Sequence, residues 1–129
     1  LRTALEALCS SAEAAVREGK NILIVSDRNL GEARVPLHSL LATGAIHHHL
    51  IRGGLRAECN LIVESGSARD SHHVACLLGF GATAVYPYLA YSVIEDLLVR
   101  LSTKPQHGMA AADEGLHRTK TPRASGLAA

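Results

Sequence analysis

The chain has 129 residues, 47% of them hydrophobic and 19% charged, with a formal net charge of +1. That length suits one small domain with a single core. The near-neutral balance excludes a strongly electropositive nucleic-acid binder, and the apolar content excludes a disordered chain. With no Trp, one Phe and three Tyr, the core has to be aliphatic. Cys9, Cys59 and Cys76 are widely spaced and form no C-x-x-C, so neither a zinc ribbon nor a disulfide framework is indicated. Scattered thiols fit a reducing cytosol or a plastid or mitochondrial matrix. No apolar run approaches the roughly 20 residues of a membrane span, so no membrane partner is expected. The chain opens at Leu1 already inside a helical pattern, which reads as a piece of a longer protein.

Residues 3–18 are predicted to form a helix. Leu5, Leu8, Cys9, Ala12 and Val16 recur at steps of three and four, and Gly19 stops the pattern. Ile22-Leu23-Ile24-Val25 is a continuous aliphatic run without alternation, which predicts a strand buried on both faces, as in a parallel sheet. Pro36 suits the first turn of a second helix, which runs to about Arg52 and ends at Gly53-Gly54. Asn60-Leu61-Ile62-Val63-Glu64 reads as a second strand. A third helix is expected from Ser67 or Ala68 to about Leu78, broken by Gly79 and Gly81. Ala82 to Tyr86 reads as a third strand, and Leu89 to Leu101 as a last helix. The order α-β-α-β-α-β-α implies an α/β fold, a parallel sheet with right-handed crossovers. The organised part is placed at residues 1–103. From Lys104 to Ala129 periodicity disappears, and a disordered tail is expected.

Three histidines in a row, His47-His48-His49, invite a metal reading. Neighbouring helical residues point about 100° apart, so three consecutive imidazoles cannot converge on one ion. On the wheel Leu37, Leu40, Leu41, Gly44, His48 and Ile51 share one stripe, with Ile46 and Leu50 opposite. This predicts a helix sandwiched between two layers, with His48 buried and hydrogen-bonded. His72 and Cys76 are metal-ligand types at i, i+4, yet two ligands fall short of the three or four of a zinc site. His73 with Asp70 suggests a local contact.

Open parallel sheets bind ligands beyond the carboxyl ends of their strands. Those ends carry Asp27 and Arg28, Glu64 and Ser65, and Tyr86. Two carboxylates there suggest an acid–base or magnesium site; the plainer reading, preferred here, is loop and ion-pair residues. Gly79-Phe80-Gly81-Ala82 follows a helix and opens a strand, the reverse of a dinucleotide fingerprint. The basic segment His117 to Arg123 lacks interleaved aromatics, so no nucleic-acid partner is expected.

Taken in order, these segments suggest a family. Ile24-Val25-Ser26-Asp27-Arg28, then Leu40-Leu41-Ala42-x-Gly44-Ala45-Ile46-His47-His48-His49-Leu50-Ile51-Arg52, resembles the central domain of the glutamate synthase large subunit. Leu61-Ile62-Val63-Glu64-x-Gly66-x-Ala68-Arg69 with His72-His73, and Gly79-Phe80-Gly81-Ala82-x-Ala84-Val85-x-Pro87-Tyr88-Leu89-Ala90, continue the resemblance. It covers about residues 3 to 98. Tyr86 stands where the family usually has Asn, Ser67 where Glu is common, and His38 where Pro is common.

The resemblance implies a partial, barrel-like layer joining an amidotransferase domain to a flavin domain of the same parent chain. In such enzymes ammonia released from glutamine is added to 2-oxoglutarate, and the imine is reduced to glutamate. It further implies that the layer helps wall the ammonia passage. FMN and an iron–sulfur cluster are implied for the whole enzyme, in the cytoplasm or a plastid. For this chain itself no catalytic, cofactor-binding or metal residue is expected, and no catalysis alone. The alternative is a free-standing small-ligand or metal-binding α/β module using Asp27, Arg28 and Glu64, or His72 with Cys76.

Overall fold

The computed structural model describes residues 1–29, 31, 32 and 35–103; the tail expected over 104–129 lies outside the described residues. Helix α1 spans Arg2–Arg17 and buries Cys9, Ala12 and Val16, the face its periodicity predicts. Strand β1 is Ile22–Ser26, α2 is Ser39–Arg52, and a single 3-10 turn covers Arg56–Glu58. Strand β2 is Asn60–Glu64, α3 is Ser71–Gly79, β3 is Ala84–Tyr86, and α4 is Tyr88–Thr103. The fold is α/β, as the alternation predicts.

The sheet runs β1-β2-β3, all parallel, with Leu23 opposite Leu61 and Val63 opposite Val85. Successive strand residues face opposite sides. Leu23, Val25 and Leu61 pack on Ile46 and Leu50 of α2 and on Cys9, Ala12 and Val16 of α1. Val63 and Val85 pack with Leu40, Ala68, Leu77 and Ala82. Both clusters lie on one face of the sheet, so α2 and α3 cover the same side.

The other face carries Ile22, Ile24, Ile62 and Ala84. Ile24 is 66% exposed. The expectation that β1 is buried on both faces is therefore corrected. Its residues alternate between exposed and half-buried, because it is an edge strand and nothing among the described residues covers its outer face. Only the central strand has fully buried side chains, Leu61 and Val63.

Two helix starts also differ from expectation. The first bond of α2 runs from the Ala42 N–H to the His38 carbonyl at 3.0 Å, so Pro36 lies before the helix. Helix α3 starts at Ser71 rather than Ser67 because Asp70 caps it, accepting the His73 N–H at 2.9 Å. Ser67 is used instead in the turn after β2. The helix ends are more local. Gly54 at φ +70° and Gly81 at φ +108° each take the left-handed geometry that lets the following N–H reach back five residues, from Leu55 to Leu50 and from Ala82 to Leu77.

The wheel reading of α2 is corrected as well. The buried residues are Ser39, Ala42, Thr43, Ile46 and Leu50, while His48, Leu41 and Ile51 are exposed. Thr43 enters the core because its hydroxyl donates to the Ser39 carbonyl at 2.7 Å, leaving its methyl to pack. The helix is sandwiched, as its two apolar faces imply. Its second layer is α1, and exposed His48 lines a surface cavity with Leu5 and Cys9 of that helix. Helix α4 has no buried residue: Val93, Ile94, Leu97, Leu98 and Leu101 are all more than half exposed. On a helical wheel Ala90, Tyr91, Val93, Ile94, Leu97, Leu98 and Leu101 share one side, which nothing among the described residues covers.

Candidate functional site

The strand ends form two adjoining polar networks. Ser26 and Asp27 are consecutive, so their side chains leave β1 in opposite directions. On one side Glu64 accepts from Arg28 Nε at 2.6 Å and from Ser26 Oγ at 2.5 Å. The Arg28 guanidinium stacks 4.3 Å from the Tyr88 ring centre and 5.7 Å from that of Tyr86. Tyr86 in turn lies 5.6 Å from Tyr91.

On the other side the Asp27 carboxylate accepts from Ser65 Oγ at 2.8 Å and from the Gly66 N–H at 3.0 and 3.1 Å. The Tyr88 phenol neighbours Asp27, and hydrogen bonding toward that carboxylate, then partial burial and the Asp27 charge, pushes it up from its ordinary 10.0, with Arg28 opposing. Tyr88 therefore stays a proton donor at neutral pH. Its hydroxyl sits 2.7 Å from where a Cβ on Gly66 would stand, so only glycine admits the phenol. Ser65 is fully buried; its hydroxyl contacts Ser67 at 2.9 Å, and Ser67 contacts Ser39 of α2 at 3.1 Å.

The structure thus gathers Asp27, Arg28, Glu64, Ser65 and Tyr86 at one end of the sheet, where Asp27 and Glu64 both line a cavity of about 650 Å³. Each carboxylate is engaged by donors of its own network. No three metal-ligating side chains converge among the described residues. Sequence reasoning missed Tyr88 and Gly66. The one local signal was the glycine itself, directly after Ser65.

The histidines separate into three environments. His47 Nδ1 accepts from Arg56 Nε at 3.0 Å. The same guanidinium donates to the carbonyls of Cys59 and Gly81, both at 2.7 Å. Burial, then the charges of Arg56 and His48, pushes the His47 imidazole below its ordinary 6.5. His49 meets Glu13 of α1 at 2.7 Å, and Glu13 also pairs with Arg17. Hydrogen bonds from Arg17 and His49 hold the Glu13 carboxyl below its ordinary 4.5. His48 is exposed, against expectation. Arg56 was missed, since its partners are distant in sequence. On α3, the Asp70–His73 contact forms as expected, at 3.4 Å, and His72 Nε2 lies 3.7 Å from Cys76 Sγ.

The placement of the thiols does not fit an iron–sulfur cluster. Cys9 and Cys59 sit in the core and Cys76 lies on α3, whereas an iron–sulfur cluster takes four ligands, usually cysteine thiolates.

These features define a parallel α/β layer whose strand-end side chains bond one another and whose apolar faces are left uncovered among the described residues. The chain matches the family described as glutamate synthase central domain over residues 1–121, farther than the residue-level resemblance, and it belongs to that family. It is 47% identical to a fission-yeast (Schizosaccharomyces pombe) glutamate synthase [NADH] over 79% of this chain and 5% of that protein. Against the Bacillus subtilis glutamate synthase [NADPH] large chain the identity is 48% over 74% of this chain and 6% of the relative. Against the ferredoxin-dependent glutamate synthase of Pyropia yezoensis it is 47% over 67% and 6%. The chain therefore spans about one twentieth of these relatives. Identity is nearly equal to enzymes named for three electron donors, so this segment does not discriminate among donors. No described helix is long and apolar enough to cross a membrane.

Proposed function

We propose that this chain is a structural segment of a glutamate synthase, linking amidotransferase and flavin domains of one parent chain and helping wall the ammonia passage between them. The observation that carries this reading is the unfinished layer. Among the described residues one sheet face and the apolar side of α4 are uncovered, whereas the polar strand ends are internally satisfied. Apolar surface of this kind marks contact with other protein, and a saturated polar cluster has little capacity left for chemistry. The organised unit is residues 1–103. None of its side chains touches the reacting atoms; FMN and the iron–sulfur cluster belong to other domains of the parent. The partners are those domains, with neither nucleic acid nor membrane, in a cytoplasmic or plastid enzyme.

The test is a graft. The matching segment of the Bacillus subtilis large chain is replaced by residues 1–103, and glutamine consumed is compared with glutamate formed. Coupled turnover is the expected result. A folded chimera that hydrolyses glutamine and reduces the imine from added ammonia, yet fails to couple the two, contradicts the passage role. Turnover by the purified 129-residue chain alone contradicts the scaffold reading.

A further inference from the structure

We propose that His72 and Cys76 form a two-donor chelate for a borderline-soft divalent cation of the zinc class on α3. The inference does not depend on the parent enzyme.

The argument begins with helix geometry. Residues four apart on a helix share a face, one turn above the other. His72 and Cys76 are so spaced within Ser71–Gly79. Their donor atoms already face one another, with Nε2 and Sγ 3.7 Å apart. A tetrahedral ion with a bond of about 2.3 Å to sulfur and about 2.0 Å to imidazole nitrogen holds those donors about 3.5 Å apart. The observed 3.7 Å lies within about 0.2 Å of that bite.

The surroundings allow an ion to enter. His72 is exposed and Cys76 half-buried, while the other two thiols, Cys9 and Cys59, are buried. The pair opens onto a cavity of about 280 Å³ that His38 and His73 also line. Water completes the coordination. With two protein donors the site is labile, unlike a structural zinc site with three or four.

Binding exchanges one proton. The Cys76 thiol loses its proton to solvent and its sulfur bonds the ion, the neutral His72 Nε2 bonds it through its lone pair, and each new bond displaces one metal-bound water. No oxidant or reductant takes part. Nitrogen–sulfur donor sets favour zinc-class ions over magnesium and calcium, which take oxygen.

The test uses the tag-free 129-residue chain and Co²⁺ as a spectroscopic probe, with Zn²⁺ as competitor. A thiolate-to-cobalt charge-transfer band is expected, saturating at one ion per chain and displaced by Zn²⁺. C76A is expected to abolish the band, and H72A to weaken Co²⁺ binding about tenfold or more, the scale of one lost ligand. Zn²⁺ is also expected to slow alkylation of Cys76, read by peptide mass. Both substitutions lie away from the core, and circular dichroism checks that the fold persists. No band in the wild type overturns the proposal, as does a band that survives C76A. Binding unchanged in H72A overturns the chelate and leaves only a surface thiol.

Discussion

Replacing Arg56 by alanine tests whether one guanidinium ties three elements together. It bridges His47 on α2, the Cys59 carbonyl leading into β2, and the Gly81 carbonyl between α3 and β3. Both carbonyl bonds are 2.7 Å, and a bond to a charged group nets about 1.5–3 kcal/mol. Arg56 is half-buried, so the low end applies, and two such bonds give about 3 kcal/mol. For a chain of this size a urea slope near 1.5 kcal/mol/M converts that into a midpoint about 2 M lower. Lysine reaches one carbonyl at best and is expected to recover less than half. Equilibrium urea unfolding followed by circular dichroism reads both. An alanine variant within about 0.5 kcal/mol of wild type refutes the bridging argument.

The same site sets a pH dependence. His47 is held below its ordinary 6.5, so the native state binds fewer protons than the unfolded chain in the interval beneath that value. Stability therefore rises with pH there and falls away on acidification below about 6.5. Removing Arg56 deletes one cause of the depression and is expected to flatten this slope.

Two other substitutions probe the remaining contacts. G81A places a Cβ into the His47 imidazole at a residue with φ +108° and is expected to destabilise by more than about 2 kcal/mol; a thermal midpoint within 2 °C of wild type sinks that account. D27N removes the charge that raises the Tyr88 phenol. In an ultraviolet pH titration one phenol of the wild type should ionise above 10.0 and move back toward it in the variant; identical curves contradict the Tyr88–Asp27 bond.

The comparison of sequence with structure is instructive at α2. Its C-terminal stop was legible, because Gly53-Gly54 is a local signal, whereas its start was set three residues after the expected Pro36. Its orientation was not legible. Counting hydrophobicity favoured the stripe of Leu41, His48 and Ile51, but the core chose Ala42, Thr43, Ile46 and Leu50. A threonine that satisfies its own hydroxyl counts as apolar once folded, and a wheel does not register that. β1 shows the opposite error: an unbroken aliphatic run implied two covered faces, and the second cover is missing from the described residues. At the strand ends Asp27, Arg28 and Glu64 were legible from where strands stop. Tyr88 was not, since its approach to Asp27 depends on the space above Gly66.

Because each strand pairs with the next in sequence, the sheet has a natural order of assembly. Joining β2 to β3 brings Ile62 to Ala84, across 22 residues, whereas joining β1 to β2 brings Ile22 to Asn60, across 38. Loop-closure entropy alone favours the shorter join by only about 0.5 kcal/mol. The longer one must also dock α2 between two layers. The β2-α3-β3 unit is therefore expected to form first and β1 to join last. Pulsed hydrogen exchange during refolding should protect amides of β3 before those of β1; the reverse order would show that α1 and α2 dock first.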